Sequence, residues 1–202
     1  HGISPGDIQN PDDLRLIPVS SREDIQGAGL RNMVMTGVAP EDLCRVRTSG
    51  STGEPLTILR TPWEKRAAFA FWMRAHREHG LRPHHRSAST KTPHHSRQLS
   101  IQKKLATGLG FYRWKQFNCC RPVGEIMREV REYRPDVLSA MPSILYHLAE
   151  HATETDRGPI RLHHLQSGGD TLTPAMRQRI EEVFSARLYL SYGSHEFSLI
   201  AW

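Results

Sequence analysis

No run of about 18 apolar residues occurs in the 202-residue chain, so no segment is long and oily enough to cross a bilayer as a helix, and no membrane partner is expected. Cysteine is scarce, with three residues, two of them adjacent at Cys119 and Cys120. That number builds no disulfide framework and sets a reducing, cytoplasmic compartment as the expectation. Adjacent thiols also lack the short gap of a zinc ligand pair. Twelve histidines include pairs at His84-His85, His94-His95 and His163-His164, with no ligand pattern after them. Solvent-facing imidazoles and buried thiols are therefore expected. An initiator methionine is missing too. The chain opens His1-Gly2-Ile3 and stops at Ala201-Trp202 straight after an apolar run, with neither signal nor transit character. It reads as 1–202 of a longer protein, one partial domain truncated at both ends.

Acidic residues are locally scarce. Between Arg74 and Lys104 stand eight Lys/Arg, six histidines and one acid, Glu78, so the net charge of +6 is unevenly spread. Such a stretch is ordinarily a solvated surface. The alternative function it suggests is a non-catalytic module that binds nucleic acid or another polyanion through 74–104. Neither RNP-like aromatic spacing nor zinc-finger spacing is present, which disfavours nucleic acid as a partner.

What the sequence does have is small residues in a row. Thr48-Ser49-Gly50-Ser51-Thr52-Gly53-Glu54-Pro55 carries four hydroxyls and two glycines, leaving almost no side-chain bulk. Successive backbone N–H groups can then face one ligand, and the hydroxyls add donors, which suits a phosphate chain. Apolar stretches at Leu43–Val46 and Leu56–Leu59 flank the run, predicting a β-hairpin with a phosphate-gripping turn rather than a Ser/Gly linker. A Walker-type loop is excluded, because no Gly-Lys-Ser/Thr ends the run.

Periodicity predicts a short helix over Asp12–Ile17, a Ser-capped helix start near Ser21, and a loop from Gly27 to Pro40. A helix runs from Pro62 to His79, with Gly80 as its stop. No useful period exists from Arg82 to Arg97. From Val123 onward helices and short strands alternate: helix 123–133, strand 136–140, helix 142–151, strand 160–166, helix 174–184 capped by Thr173, strand 187–190. That order predicts an α/β fold with a mostly parallel sheet flanked by helices, binding its ligand beyond the carboxyl ends of the strands.

Two turns fall at such ends. Ser167-Gly168-Gly169-Asp170 lets backbone approach a flat ring or ribose, because its glycines remove obstruction. Tyr192-Gly193-Ser194-His195-Glu196 offers an aromatic face and a carboxylate able to hold Mg²⁺ between phosphate oxygens.

These three segments resemble those of the AMP-forming, adenylate-forming superfamily, in its phenylacetate–CoA ligase-like branch. Residues 48–56 match that family's phosphate loop. Ser167-Gly168-Gly169-Asp170-Thr171-Leu172-Thr173-Pro174 resembles its Ser-Gly-Gly-Glu-x-Leu-Thr-Pro segment, and Tyr192-Gly193-Ser194-His195-Glu196 its Tyr-Gly-x-x-Glu motif. Asp136-Val137-Leu138 with Pro142-Ser143, and Pro5–Ile25, also match, while 82–118 contributes little. The resemblance implies a partial N-terminal domain whose small C-terminal lid domain is absent. It implies ATP-dependent conversion of a carboxylic acid, by family default an aromatic one, to an acyl-adenylate, then transfer to CoA. Thr48, Ser49, Gly50, Ser51, Thr52 and Gly53 would steady the phosphates. Gly168, Gly169 and Asp170 would line the adenine pocket, with Tyr192 stacked on the base and Gly193 and Ser194 beside it. Glu196 would bind Mg²⁺, and His195 would stand near the α-phosphate.

Departures from the family pattern are specific. Glu54 stands where many relatives have Lys, Asp170 where Glu is commoner, and His195 where Thr or Ser is usual. A ribose-binding Asp and a catalytic Lys lie further downstream in relatives, so this chain by itself is expected to be inactive or nearly so. Phe111, Tyr112, Trp114, Phe117, Met141 and Tyr146 are candidate walls of an aryl pocket, and equally candidate core.

Overall fold

The computed structural model describes residues 3–47, 55–91, 101–154, 158, 160–194 and 196–202. Two compact units emerge, residues 1–66 and 67–202.

The first unit is built on capped turns. Asn10 begins a 3-10 segment, Pro11–Leu16, by accepting the Asp12 N–H, while the Asp13 carboxylate accepts the Asn10 N–H. Ser21 and Asp24 repeat this reciprocal device at the start of α1 (Arg22–Asn32). The loop expected from Gly27 begins later than predicted. Helix continues to Gly29, whose φ of 73° and ψ of 152° break it, and resumes to Asn32. β1 (Cys44–Arg47) and β2 (Thr57–Arg60) then pair antiparallel, Cys44 opposite Arg60 and Arg47 opposite Thr57. That is the predicted hairpin frame. Its Ser/Gly segment, 48–54, lies outside the described residues.

α2 (Pro62–Glu78), which belongs to the second unit from Ala67 onward, ends in a Schellman motif. The Leu81 N–H reaches the His76 carbonyl at 2.9 Å and the Gly80 N–H the Arg77 carbonyl at 3.0 Å, with Gly80 at φ +90°. Five parallel strands follow, β3 (Ser87–Lys91), β4 (Trp114–Asn118), β5 (Val137–Ser139), β6 (His164–Ser167) and β7 (Leu188–Leu190), in the spatial order β4-β3-β5-β6-β7. Between them run α3 (Ile101–Gly108), α4 (Val123–Tyr133), α5 (Pro142–Glu154) and α6 (Pro174–Phe184).

The two faces of this sheet differ sharply. Ala88, Leu138, Leu165 and Leu188 sit side by side in register and join Phe117, Ile126, Val130, Leu145, Leu148, Ile180 and Phe184 in one core under α4, α5 and α6. The opposite face carries Ser87, Ser89, Ser139, His164, Gln166 and Tyr189, with Val137 between Ser87 and His164, alternating with the first set. Trp72 of α2 meets this polar face at Trp114, ring centroids 5.4 Å apart, and the Trp114 indole N–H donates to Ser89 Oγ at 3.1 Å.

Several expectations need correction here. β3 lies in the stretch 82–97 that showed no useful period, and α3 and β4 follow it where no element was expected. β3 reads Ser-Ala-Ser-Thr-Lys, with no bulky side chain to alternate, so period 2 is invisible although Ser87–Thr90 are all buried. The histidines are not uniformly solvent-facing, since His76 and His164 are buried, and none of the three cysteines is buried, Cys120 being exposed and Cys44 and Cys119 half-buried. The aryl candidates separate: Phe117 is core and Tyr146 packs against it, while Phe111, Tyr112, Trp114 and Met141 are exposed.

Candidate functional site

β6 and β7 end together, and their following turns are fastened to each other. The Ser191 N–H donates to the Ser167 carbonyl at 2.8 Å, and Ser191 Oγ donates to the same oxygen at 3.1 Å. Ser167 in turn donates its hydroxyl to the Ala140 carbonyl at 2.9 Å, tying in the end of β5. A Cβ on Gly168 would lie 2.6 Å from the Ser191 carbonyl oxygen, so only glycine fits where the two backbones touch. Gly169 needs glycine for a different reason: open space surrounds it, but its φ is +84°.

Beyond the glycines, Asp170 is exposed and its Oδ1 accepts the Thr171 N–H at 2.7 Å. Thr173 then caps α6, its hydroxyl accepting the Met176 N–H at 3.2 Å ahead of Pro174. The other turn opens a hairpin that the sequence did not disclose. β8 (Tyr192–Ser194) pairs antiparallel with β9 (Ser198–Ala201), with an irregularity between Tyr192 and Gly193. A Cβ at Gly193 would meet the Ser198 carbonyl at 2.1 Å, so this glycine is what lets the hairpin close. Ser194 Oγ accepts the Phe197 N–H at 3.1 Å across the turn that carries Glu196.

Tyr192 is 67% exposed, its ring standing off the rim rather than packed in it. Glu196 is also exposed. Gly168, Gly169, Asp170, Tyr192, Gly193, Ser194 and Glu196 thus occupy adjoining turns at one end of the sheet. Thr48, Ser49, Gly50, Ser51, Thr52, Gly53 and His195 fall outside the described residues. Of the basic stretch, Arg74 is engaged with Glu78 at 2.9 Å, and Arg86 lies 4.5 Å over the Tyr133 ring.

The family model for AMP-binding enzymes matches residues 10–202. The chain belongs to the AMP-binding enzyme family. No curated protein matches the sequence. Among solved structures, this AMP-binding chain is similar to 2-hydroxyisobutyryl-CoA ligase in an open conformation with 2-HIB-AMP and CoA, with a TM-score of 0.73 and 22% identity over 98% of this chain and 47% of that one. It is also similar to a long-chain-fatty-acid-CoA ligase from Archaeoglobus fulgidus, TM-score 0.56 and 17% identity, covering 81% of this chain and 34% of that one. An amide bond synthetase from Marinactinospora thermotolerans gives 0.56 and 20% over 80% and 31%. The shared α/β architecture is that of the adenylate-forming N-terminal domain. The chain spans less than half the length of each of these structures.

Proposed function

We propose that this chain is the nucleotide-binding part of an AMP-forming acid–CoA ligase of the phenylacetate–CoA ligase-like kind. The observation that carries the reading is the contact of Gly168 with Ser191, which holds the Ser-Gly-Gly-Asp turn against the turn bearing Tyr192 and Glu196. Backbone bare of side chains on one turn, with an exposed aromatic ring on the next, suits a purine lying between them.

In the adenylation step, a carboxylate oxygen bonds to the α-phosphorus of ATP and pyrophosphate leaves with the electron pair of the broken P–O bond. In the second step, the CoA sulfur bonds to the acyl carbon, AMP departs, and the thiol proton passes to solvent. Neither step asks the described residues to transfer a proton. Their contribution is positioning and charge placement. Tyr192 would stack on adenine, while Gly168, Gly169 and Asp170 border it. Ser49, Ser51 and Thr52 would hold the outer phosphates, and His195 would stand by the α-phosphate.

Magnesium sites use one or two carboxylates plus phosphate oxygens rather than a protein cage. The exposed Glu196 carboxylate fits that, and the described residues hold no group of three or more His, Cys, Asp or Glu that could bind a metal by itself. Glu196 is thus the residue that would hold Mg²⁺, which when bound neutralises phosphate charge.

Calorimetric titration of the chain with ATP and Mg²⁺ tests the reading. Ser51→Ala with Thr52→Ala is expected to weaken binding about 10-fold, the equivalent of ~1.4 kcal/mol. Unchanged binding in that variant would remove the phosphate-loop assignment. Pyrophosphate exchange by the longer protein, with a panel of aryl and alkyl acids, tests the acid class.

A further inference from the structure

At the other end of the parallel strands stands a group of imidazoles that the nucleotide chemistry does not use, five joined by ring contacts and a sixth, His76, within their electrostatic reach. His84 meets His85 (ring centroids 4.8 Å apart), His85 meets His163 (5.0 Å), and His163 meets His164 (5.4 Å). His164 packs edge-on to His79 at 6.4 Å and to Tyr189 at 5.6 Å, and His79 stacks on Tyr189 at 3.8 Å. His76, one helical turn before His79, lies 3.5 Å from the Trp72 ring. The group joins the end of α2, the loop after it, and the starts of β6 and β7.

The packing leaves little room for added charge. His76 and His164 are 3% and 1% exposed. Among the described residues, His76 Nδ1, His79 Nδ1 and His164 Nε2 are buried without a hydrogen-bond partner. His163 Nδ1 and His164 Nδ1 face each other at 3.1 Å, so one must accept what the other donates. A proton on the accepting nitrogen would set N–H against N–H. Gly80 is fitted to the same group, since a Cβ there would lie 2.9 Å from His163 Cε1. The charged neighbours do not relieve the deeper rings. Carboxylates reach only the outer rings, with Glu78 acting on His79 and Asp136 on His85, and the guanidiniums of Arg187 and Arg82 oppose them. His76 and His164 feel burial and other imidazoles.

We propose that this imidazole group is an acid-sensitive latch, which holds the carboxyl end of α2 and the 79–86 loop on the sheet when neutral and releases them when protonated. Burial pushes His76 down from 6.5 to about 3, with His164 and His79 adding to it, and pushes His164 to about 4. The sign follows from linkage. Rings freed by opening titrate near 6.5 and bind protons that the closed state refuses, so the latch is at full strength above that value and weakens as pH falls. Two such rings raise the opening equilibrium roughly 100-fold at about pH 5.5 relative to neutral pH.

Amide hydrogen exchange of the full chain near neutral pH and at about pH 5.5, corrected for intrinsic rates, reads the latch. Segments 72–85 and 162–165 are expected to gain about 100-fold in opening, and α5 and α6 far less. His76→Phe combined with His164→Gln should bring that gain down to a few fold. Where the double variant does not fold, His164→Gln by itself should lower the gain about 10-fold. Uniform acceleration of all elements in the unaltered chain would overturn the latch, as would no acceleration, or a full gain retained in the variants.

Discussion

The α-carbon of Gly168 faces the main chain of Ser191 so closely that a single methyl would come within 2.6 Å of its carbonyl oxygen and 2.8 Å of its hydroxyl. One atom group therefore controls the distance between the two turns on which the nucleotide reading rests. The clash is with main chain rather than a flexible side-chain tip, and the same residue is held to Ser167 by its N–H at 2.8 Å.

Gly168→Ala is expected to cost ~1–3 kcal/mol of stability through overpacking, and to weaken ATP binding at least 10-fold, about 1.4 kcal/mol or more. Gly169→Ala meets no atom within 4 Å and suffers only its left-handed backbone, a cost of roughly 1–2 kcal/mol. Thermal unfolding and ATP calorimetry on both variants check this. Equal, full-strength ATP binding in Gly168→Ala would show that the two turns do not act as one site.

Tyr192→Ala separates binding from folding. Its ring is 67% exposed, so stability should change by less than about 0.5 kcal/mol. Loss of base stacking should cost ~1–3 kcal/mol of nucleotide affinity, and Tyr192→Phe should restore it. A Tyr192→Ala protein that binds ATP normally would remove the stacking role.

Phe184 closes α6 over the core at 1% exposure. Phe184→Ala should destabilise by about 3–5 kcal/mol. Phe197, 78% exposed on the hairpin turn, is the control, and its alanine variant should stay within about 0.5 kcal/mol. Urea midpoints of the two variants decide the matter, and a similar loss in both would contradict the assigned core.

Thr173 supplies the hydroxyl that caps α6. Thr173→Ala should cost about 1 kcal/mol, and Thr173→Ser should recover most of it. Recovery measured by thermal unfolding separates the cap from the loss of a methyl group.

Legibility in the sequence followed side-chain bulk. α4, α5 and α6 show amphipathic spacing because one face of each meets the apolar side of the sheet; α4 was readable from that period, and α5 and α6 from the start signals at Pro142 and Thr173-Pro174. β3 was not, because it is a buried strand of serine, alanine and threonine whose fit depends on partners far along the chain. The rim turns were legible through their glycines, since backbone contact and left-handed φ leave a compositional mark. The hairpin after Tyr192 left less of one: Gly193 serves a close crossing with Ser198, not a turn, and sequence alone does not distinguish these uses. The histidines were misjudged for a related reason. His76 lies beside Trp72 and Ala75 on the buried side of α2, and a histidine there carries no compositional mark of burial.

The unlike faces of the sheet also guard against misassembly. Leu165 stands beside Leu138 and Leu188, and His164 beside Val137. Sliding β6 by one residue would turn His164 into the leucine layer and Leu165 out among the serines. β6 thus carries its own proofreading mark, and a wrongly threaded chain meets an unsolvated imidazole before the core can close.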